Sequence, residues 1–356
     1  MIVYWTFFAI LTLGSFLTRE QTNLSGKALV LPDKAPAPLL FLAMVFIALM
    51  IGLRYEVGAD WKNYEIIFSY ARFSDLGEML ALGDPGYQFV NWIVQAIGAE
   101  IWAVNLFCGV VFAAGLFSFA RVQPNPWLAV LIAFPYLVIV VAMGYSRQGV
   151  ALAVVLAGLA ALRRGRSITI YIGYIALAAT FHKSAVLALP VAIFAGQRNL
   201  ALNLIVGLAA SVLLYDVFVS DAVEALMRNY VEAEYSSQGA IVRVAMGVLP
   251  ALIYLPWMHR FGFEEGERKL WRNFALVALA LVVVLATTPS STAVDRVALY
   301  VLPLQIAVFC RLGIAFPGFS LHKVAVAVYC FAIQFVWLNF AEHAQYWIPY
   351  QLYPIW

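Results

Sequence analysis

The groups that can do chemistry in this sequence fall in five stretches far apart along the chain. They are Arg54, Glu56, Asp60 and Lys62; Tyr145, Ser146, Arg147 and Gln148; His182, Lys183 and Ser184; Asp295 and Arg296; and Glu342, His343 and Tyr346. Cations supplied by separate stretches suit an anion with several oxygens, such as a pyrophosphate, because each guanidinium presents a planar fork of donors with a fixed charge. A carboxylate or imidazole beside such a clamp can accept a proton from a hydroxyl group. Each group also has a structural reading. Arg54 at the end of an apolar run can snorkel to headgroups, Asp295 and Arg296 can pair architecturally, His182 can be a satisfied histidine, and tyrosines at such ends form interfacial belts. Metal-ligand spacing is absent: His182 has no second histidine at helical spacing, no Asp-x-Asp occurs, and Glu232-Ala-Glu234 is a poor substitute.

The elements that must position these groups are apolar. Of the 356 residues, 64% are hydrophobic and 12% charged, against roughly 45–50% and 25% in soluble domains. The chain therefore reads as all-α, a single polytopic integral membrane domain over residues 1–356 with short loops. Twelve apolar runs are expected to cross the bilayer: Ile2 to Leu17, Leu39 to Leu53, Ile101 to Ala120, Trp127 to Tyr145, Gln148 to Leu162, Ile168 to Phe181, Ala185 to Ala195, Leu200 to Val219, Ile241 to Met258, Phe274 to Thr288, Val297 to Cys310 and Val324 to Ala341. The first run has no basic residue before it and reads as a retained span starting outside. Alternating spans from that start put fourteen of the 22 Lys and Arg residues inside, with the cluster Arg163, Arg164 and Arg166 among them. All five polar stretches then share the outer level. At Phe181 to Gln197 two short runs flank "HKS", and one kinked or re-entrant segment would serve there as well.

Two outer segments are expected to carry interfacial helices. One, between Arg54 and Glu100, has an amphipathic piece (Trp61, Tyr64, Phe68, Ala71), a turn at "GDPGY", and the run Gln88 to Ile97, too short to cross alone. The other, Ser220 to Gly239, sets Val223, Leu226, Met227, Tyr230 and Val231 on one stripe. Cys108, Cys310 and Cys330 lie in apolar runs and read as packing residues.

At these positions the sequence resembles the EpsG family of Wzy-like exopolysaccharide polymerases. The resemblance is carried by Arg54 with Gly58, Asp60 and Tyr64; "DPGY" at Asp84 to Tyr87; "SRQGVA" from Ser146; "FHKSA" from Phe181; "DRVALY" from Asp295 to Tyr300; and the terminal Pro349 and Tyr350. Asp84 stands where Glu is the more common family residue, which leaves its direct role open.

The resemblance implies glycosyl transfer between undecaprenyl-pyrophosphate-linked oligosaccharides at the periplasmic face of a bacterial inner membrane. On that chemistry Arg147, Arg296 and Lys183 are the first candidates to hold pyrophosphate, with Arg54 next, and Gln148, Tyr64 and Tyr300 contact substrate. Asp60 is the leading general base, ahead of Glu56, His182 and Asp295. No cofactor and no nucleic acid is implied. Membrane lipids are expected partners, with a flippase and a chain-length regulator as candidate assembly partners.

A flippase, a polysaccharide ligase and a membrane acyltransferase are the rival readings. A flippase needs polar groups near the midplane, whereas here they gather at span ends. An acyltransferase using cytosolic acyl-CoA would draw on His259 and the "EEGER" loop, which read as a solvated linker. A ligase shares nearly every requirement of the polymerase.

Overall fold

In the computed structural model the described residues are 1–18, 38–190, 239–287 and 291–353, with single positions 209, 212 and 355. Their secondary structure is helical, relieved by one isolated bridge between Arg54 and Leu352. In chain order the helices are α1 (Ile2–Leu17), α2 (Pro38–Gly52), α3 (Trp61–Tyr70), α4 (Leu76–Ala81), α5 (Pro85–Ala96), α6 (Ile101–Ala120), α7 (Pro126–Ala133), α8 (Ser146–Arg163) and α9 (Ile168–Phe181). After the 190–239 segment come α10 (Ala240–Trp257), α11 (Glu265–Thr287), α12 (Ser291–Val301), α13 (Pro303–Phe309), α14 (Leu312–Ala315) and α15 (His322–Phe340).

Among the described residues, five helices are long and apolar enough to cross a membrane: α6, α8, α10 with the turn after it, α11 and α15. Four more apolar helices are shorter, namely α1, α2, α7 with its continuation, and α9. The protein is a helical membrane protein. These helices coincide with nine of the twelve expected runs. Of the other three, Leu200 to Val219 lies outside the described residues apart from positions 209 and 212, as does nearly all of Ser220 to Gly239, expected to be interfacial. Ala185 to Ala195 begins as a 3₁₀ turn, Lys183–Ala188, and then leaves them. Val297 to Cys310 is not one helix: α12 and α13 are separate, and the break falls before Pro303, which has no N–H to give to the ladder.

The centre of the bundle is α7 and its π-helical continuation Phe134–Ala142, every residue of which is buried. Pro135 lies at the start of that widened stretch, where its missing donor and bulky ring disfavour regular α-helical bonding. Around it pack α1, α6, α8, α13 and α15. The amphipathic piece expected from Trp61 onward is α3, with Trp61 and Tyr64 buried. Gln88 to Ile97, expected as a surface or re-entrant segment, belongs to α5. It buries Tyr87, Gln88, Asn91 and Val94 at helical spacing against the bundle.

Polar residues divide between the two ends of the bundle. At one end Lys323 donates to the carbonyls of Ser15 (3.1 Å) and Thr18 (2.7 Å), and Asn125 donates to Ser15 (2.9 Å), so the last turn of α1 is capped by side chains from two other helices. The same end holds Arg311, which donates to Gln123 (2.6 Å) and lies 4.3 Å from the Phe263 ring centre. Arg163 at the end of α8 pairs there with Glu267.

At the other end the C-terminal segment ties down the loop that follows α2. Tyr55 N–H donates to Gln351 O (3.0 Å), Tyr353 N–H to Leu53 O (2.8 Å) and Gly58 N–H to Tyr346 O (2.8 Å). Gly58 has φ of +112°, and a Cβ there would run into the Met143 carbonyl, so only glycine lets this loop lie against the start of α8. The Trp347 indole N–H closes the layer by donating to Ile139 O (2.6 Å).

Candidate functional site

The loop after α2, the beginnings of α8 and α10, the end of α9, the middle of α12 and the segment after α15 all meet at this second end. They enclose a cavity of about 970 Å³. Its polar wall includes Asp60, Tyr64, Tyr145, Arg147, Gln148, His182, Arg243, Asp295 and Arg296, with Glu342 and His343 at the rim. Seven of the eleven residues expected at the site from sequence therefore share one cavity: Asp60, Tyr64, Arg147, Gln148, His182, Asp295 and Arg296.

Each cation is presented differently. Arg147, in the first turn of α8, donates to Asp84 (2.7 Å), and its guanidinium lies 5.9 Å from the Tyr64 ring centre. Asp84 sits at φ +46°, a backbone conformation that costs a non-glycine residue energy, in the turn that opens α5. Its carboxyl is raised by burial, with Arg147 and Lys183 pulling it back toward the charged form. Arg243 is buried, ion-paired with Asp295 and hydrogen-bonded to the Tyr136 hydroxyl, and lies 5.7 Å from the ring centres of Tyr136 and Tyr145. Arg296 is exposed to the cavity and forms no ion pair with a described residue.

The candidate acid–base groups also separate. Asp60, before the first turn of α3, has its carboxyl raised by burial, an effect opposed by Arg147 and Arg296. His182 is depressed to about 3 by burial and by the same two cations, so it is neutral at pH 7. The Ser184 N–H donates to its Nδ1 (3.4 Å), and Ser184 Oγ lies 2.6 Å from that nitrogen. With Nδ1 accepting, the neutral ring carries its proton on Nε2. His182 is thereby arranged to donate a hydrogen bond, and Asp295 is engaged by Arg243. Asp60 in the wall and Glu342 at the rim are the carboxylates lining the cavity without an ion pair among the described residues, and of the two it is Asp60 that Arg147 and Arg296 act on.

Four expected site residues lie elsewhere. Glu56 is exposed and pairs with Lys62 (3.3 Å), because its positive φ of 51° turns it away from the cavity wall. Arg54 is buried within the bundle, donating to Ile51 O, Val57 O (3.1 Å), Asn105 Oδ1 (3.1 Å) and Ser146 Oγ (2.6 Å). Lys183 does not line the cavity but acts electrostatically on Asp84. Tyr300 is buried behind His182, its hydroxyl 3.3 Å from Ser184 Oγ and placed to donate to it.

Sequence reasoning passed over Arg243, Tyr136 and the partnership of Asp84 with Arg147. Arg243 had a signal, a lone arginine within an apolar run, which is expensive unless it is paired or functional. Its pairing with Asp295, 52 positions away, had none. Among the described residues no group of three His, Cys, Asp or Glu is arranged to hold a metal ion.

A family model describing the EpsG family matches residues 38–352, nearly the whole chain. The chain belongs to the EpsG family. Neither the curated proteins nor the solved structures contain a match to it. The match takes in every helix from α2 to α15, so all the polar residues of the cavity fall inside the EpsG-family region.

Proposed function

We propose that this EpsG-family protein is a membrane glycosyltransferase that polymerises exopolysaccharide, joining undecaprenyl-pyrophosphate-linked repeat units at the periplasmic face of a bacterial inner membrane. The observation that carries this reading is the cavity itself, which gathers Arg147, Arg243 and Arg296 with Asp60 at one end of an apolar bundle. The opposite end holds Arg121, Arg163, Arg164, Arg166, Arg260, Arg268, Lys269, Arg272, Arg311 and Lys323, ten cations against seven at the cavity end among the described residues, an excess that supports a cytoplasmic position for it and an outward-facing cavity.

In the reaction, an acceptor hydroxyl attacks the anomeric carbon of the donor glycan. The bond to pyrophosphate breaks, and its electron pair passes to the departing phosphate oxygen. Guanidiniums fixed in advance stabilise that charge without reorganising. Asp60 accepts the hydroxyl proton, and the Nε2–H of His182 donates to a sugar or phosphate oxygen. Asp84 and Asp295 hold Arg147 and Arg243 in place.

Purified protein given only a lipid-pyrophosphate oligosaccharide, with no nucleotide sugar, is expected to produce longer glycans. Unextended material that has merely crossed the vesicle membrane would replace the polymerase with a flippase. Transfer of finished polymer to an unrelated acceptor, without extension, would make it a ligase.

The base assignment has a pH signature. Asp60 must be ionised to accept a proton, and burial raises its pKa, so kcat/KM should climb through a limb above the ordinary carboxylate range. Because His182 is already neutral there, no limb is expected near the usual imidazole value. Asp60→Asn should slow transfer about 10²–10⁴-fold and remove the acid limb while lipid binding persists. An unchanged profile in that variant would pass the role of base to another group.

A further inference from the structure

Part of the cavity wall is apolar, and most of that part comes from a single helix face. Tyr329, Ala332, Ile333, Val336, Trp337 and Phe340 all line the cavity from α15. Their spacing of three and four places them in one continuous stripe. It runs about 16 Å along the helix axis at 1.5 Å per residue, close to half of the roughly 30 Å hydrocarbon thickness. The stripe starts beside Glu342 and His343, where α15 ends, and reaches inward to Tyr329, whose hydroxyl is already engaged by Gln305 (2.9 Å).

Two of its residues remain open: Val336 is 50% and Phe340 72% exposed. A substrate of sugars and phosphates alone would make no use of this part of the cavity wall and would leave it to bilayer lipid. An amphiphile would use both walls, its anionic head meeting Arg243 and Arg296 and its chain lying on α15. Val242, on the cavity side of α10, extends the apolar wall toward Arg243 and joins the two regions.

We infer that the α15 stripe is the seat of the polyprenyl chain of a lipid-linked substrate, with the attached pyrophosphate on the Arg243 and Arg296 side of the cavity. The inference rests on the reading of the cavity as a lipid-pyrophosphate site and adds where the chain lies. The Arg147 side, backed by Asp84 and Tyr64, has no comparable apolar stripe among the described residues lining the cavity. The two sides therefore present unequal surfaces to the two lipid-linked molecules a polymerase must hold.

The test uses the full-length protein in detergent micelles and a long-chain prenyl pyrophosphate carrying a diazirine in mid-chain. Irradiation should label α15 at or next to Ile333, Val336 and Phe340. Unlabelled long-chain prenyl pyrophosphate should displace the probe, and phosphatidylcholine or phosphatidylglycerol should not. Ile333→Trp fills the groove and should weaken the long-chain probe at least tenfold. It should leave a short-chain prenyl pyrophosphate with the same head within about twofold. Val328→Trp, on the face of α15 away from the cavity, should change neither.

Labelling on another helix would overturn the assignment, as would displacement by bulk phospholipid or equal loss of long- and short-chain binding in Ile333→Trp. The polymerase reading fails separately. In that case labelled lipid sits on α15 while the purified protein makes no longer glycan.

Discussion

Arg296→Ala should leave a folded, inserted protein that extends glycan chains about 10²–10³-fold more slowly, the scale on which removal of one preorganised donor to a developing anion is felt. The variant is informative because of how this side chain is held. Arg296 faces the cavity and forms no ion pair with a described residue, so its removal breaks no ion pair, and Asp60, on which it acts, keeps Arg147. Arg147→Ala would also cost transfer, but it strands the Asp84 carboxylate, which is only 8% exposed. Arg243→Ala would take from Asp295 its buried ion pair. In both, lost activity mixes with lost structure, because a buried charge without its partner is strongly destabilising.

For Arg296→Ala the thermal midpoint should stay near that of the parent, as for substitutions that disturb no buried partner. Lipid-linked single units should accumulate in cells. Polymer of normal length from this variant would remove Arg296 from the reaction.

Arg54→Ala should fail in the opposite manner, through stability. Arg54 is 1% exposed and joins three parts of the fold: the end of α2 and the loop after it through Ile51 and Val57, α6 through Asn105, and the first turn of α8 through Ser146. Taking it away returns the desolvation energy of a buried cation, but it leaves four acceptors without their donor and a void the size of the side chain. With about 1–3 kcal/mol for each buried acceptor left unsatisfied, the loss outweighs the gain, and a net cost on the order of 3 kcal/mol is expected.

Lysine is no rescue, because one ammonium cannot reproduce a fork that reaches α6 and α8 together. The measurement is the thermal unfolding midpoint in detergent, with Asn105→Ala as a milder version of the same lesion. An Arg54→Ala protein of parental stability but weakened lipid-pyrophosphate affinity would return this residue to the substrate site, where its sequence position first placed it.

That contrast between Arg54 and Arg296 marks how far the sequence could be read. Both are arginines near the ends of apolar runs and both belong to the motifs that resemble the EpsG family. Nothing local separates them. Arg54 is drawn inward because Asn105, Ser146 and two nearby carbonyls supply acceptors within reach, and the two side-chain acceptors come from 51 and 92 positions away. Glu56 was open to the same error: its positive φ turns it to Lys62, and backbone conformation is not visible in residue type. His182 was legible as a candidate and lines the cavity, but its state was not legible. Burial and the cations packed around it decide that it is neutral, and Ser184 decides which nitrogen holds the proton.

Apolar runs of bilayer length, charge at their ends and an excess of cations on one side follow from the energetics of lipid, which act on each segment separately. These were present in the sequence, and with them the all-helical membrane class and the common level of the polar stretches. Pairing was not. The hold of Asp84 on Arg147, the burial of Arg243 against Asp295 and Tyr136, the break before Pro303 and the apolar face that α15 turns to the cavity depend on which helices become neighbours. Hydrophobic transfer puts a helix in the membrane without choosing its partner. The choice comes from side-chain packing and buried hydrogen bonds, which act only between surfaces already in contact.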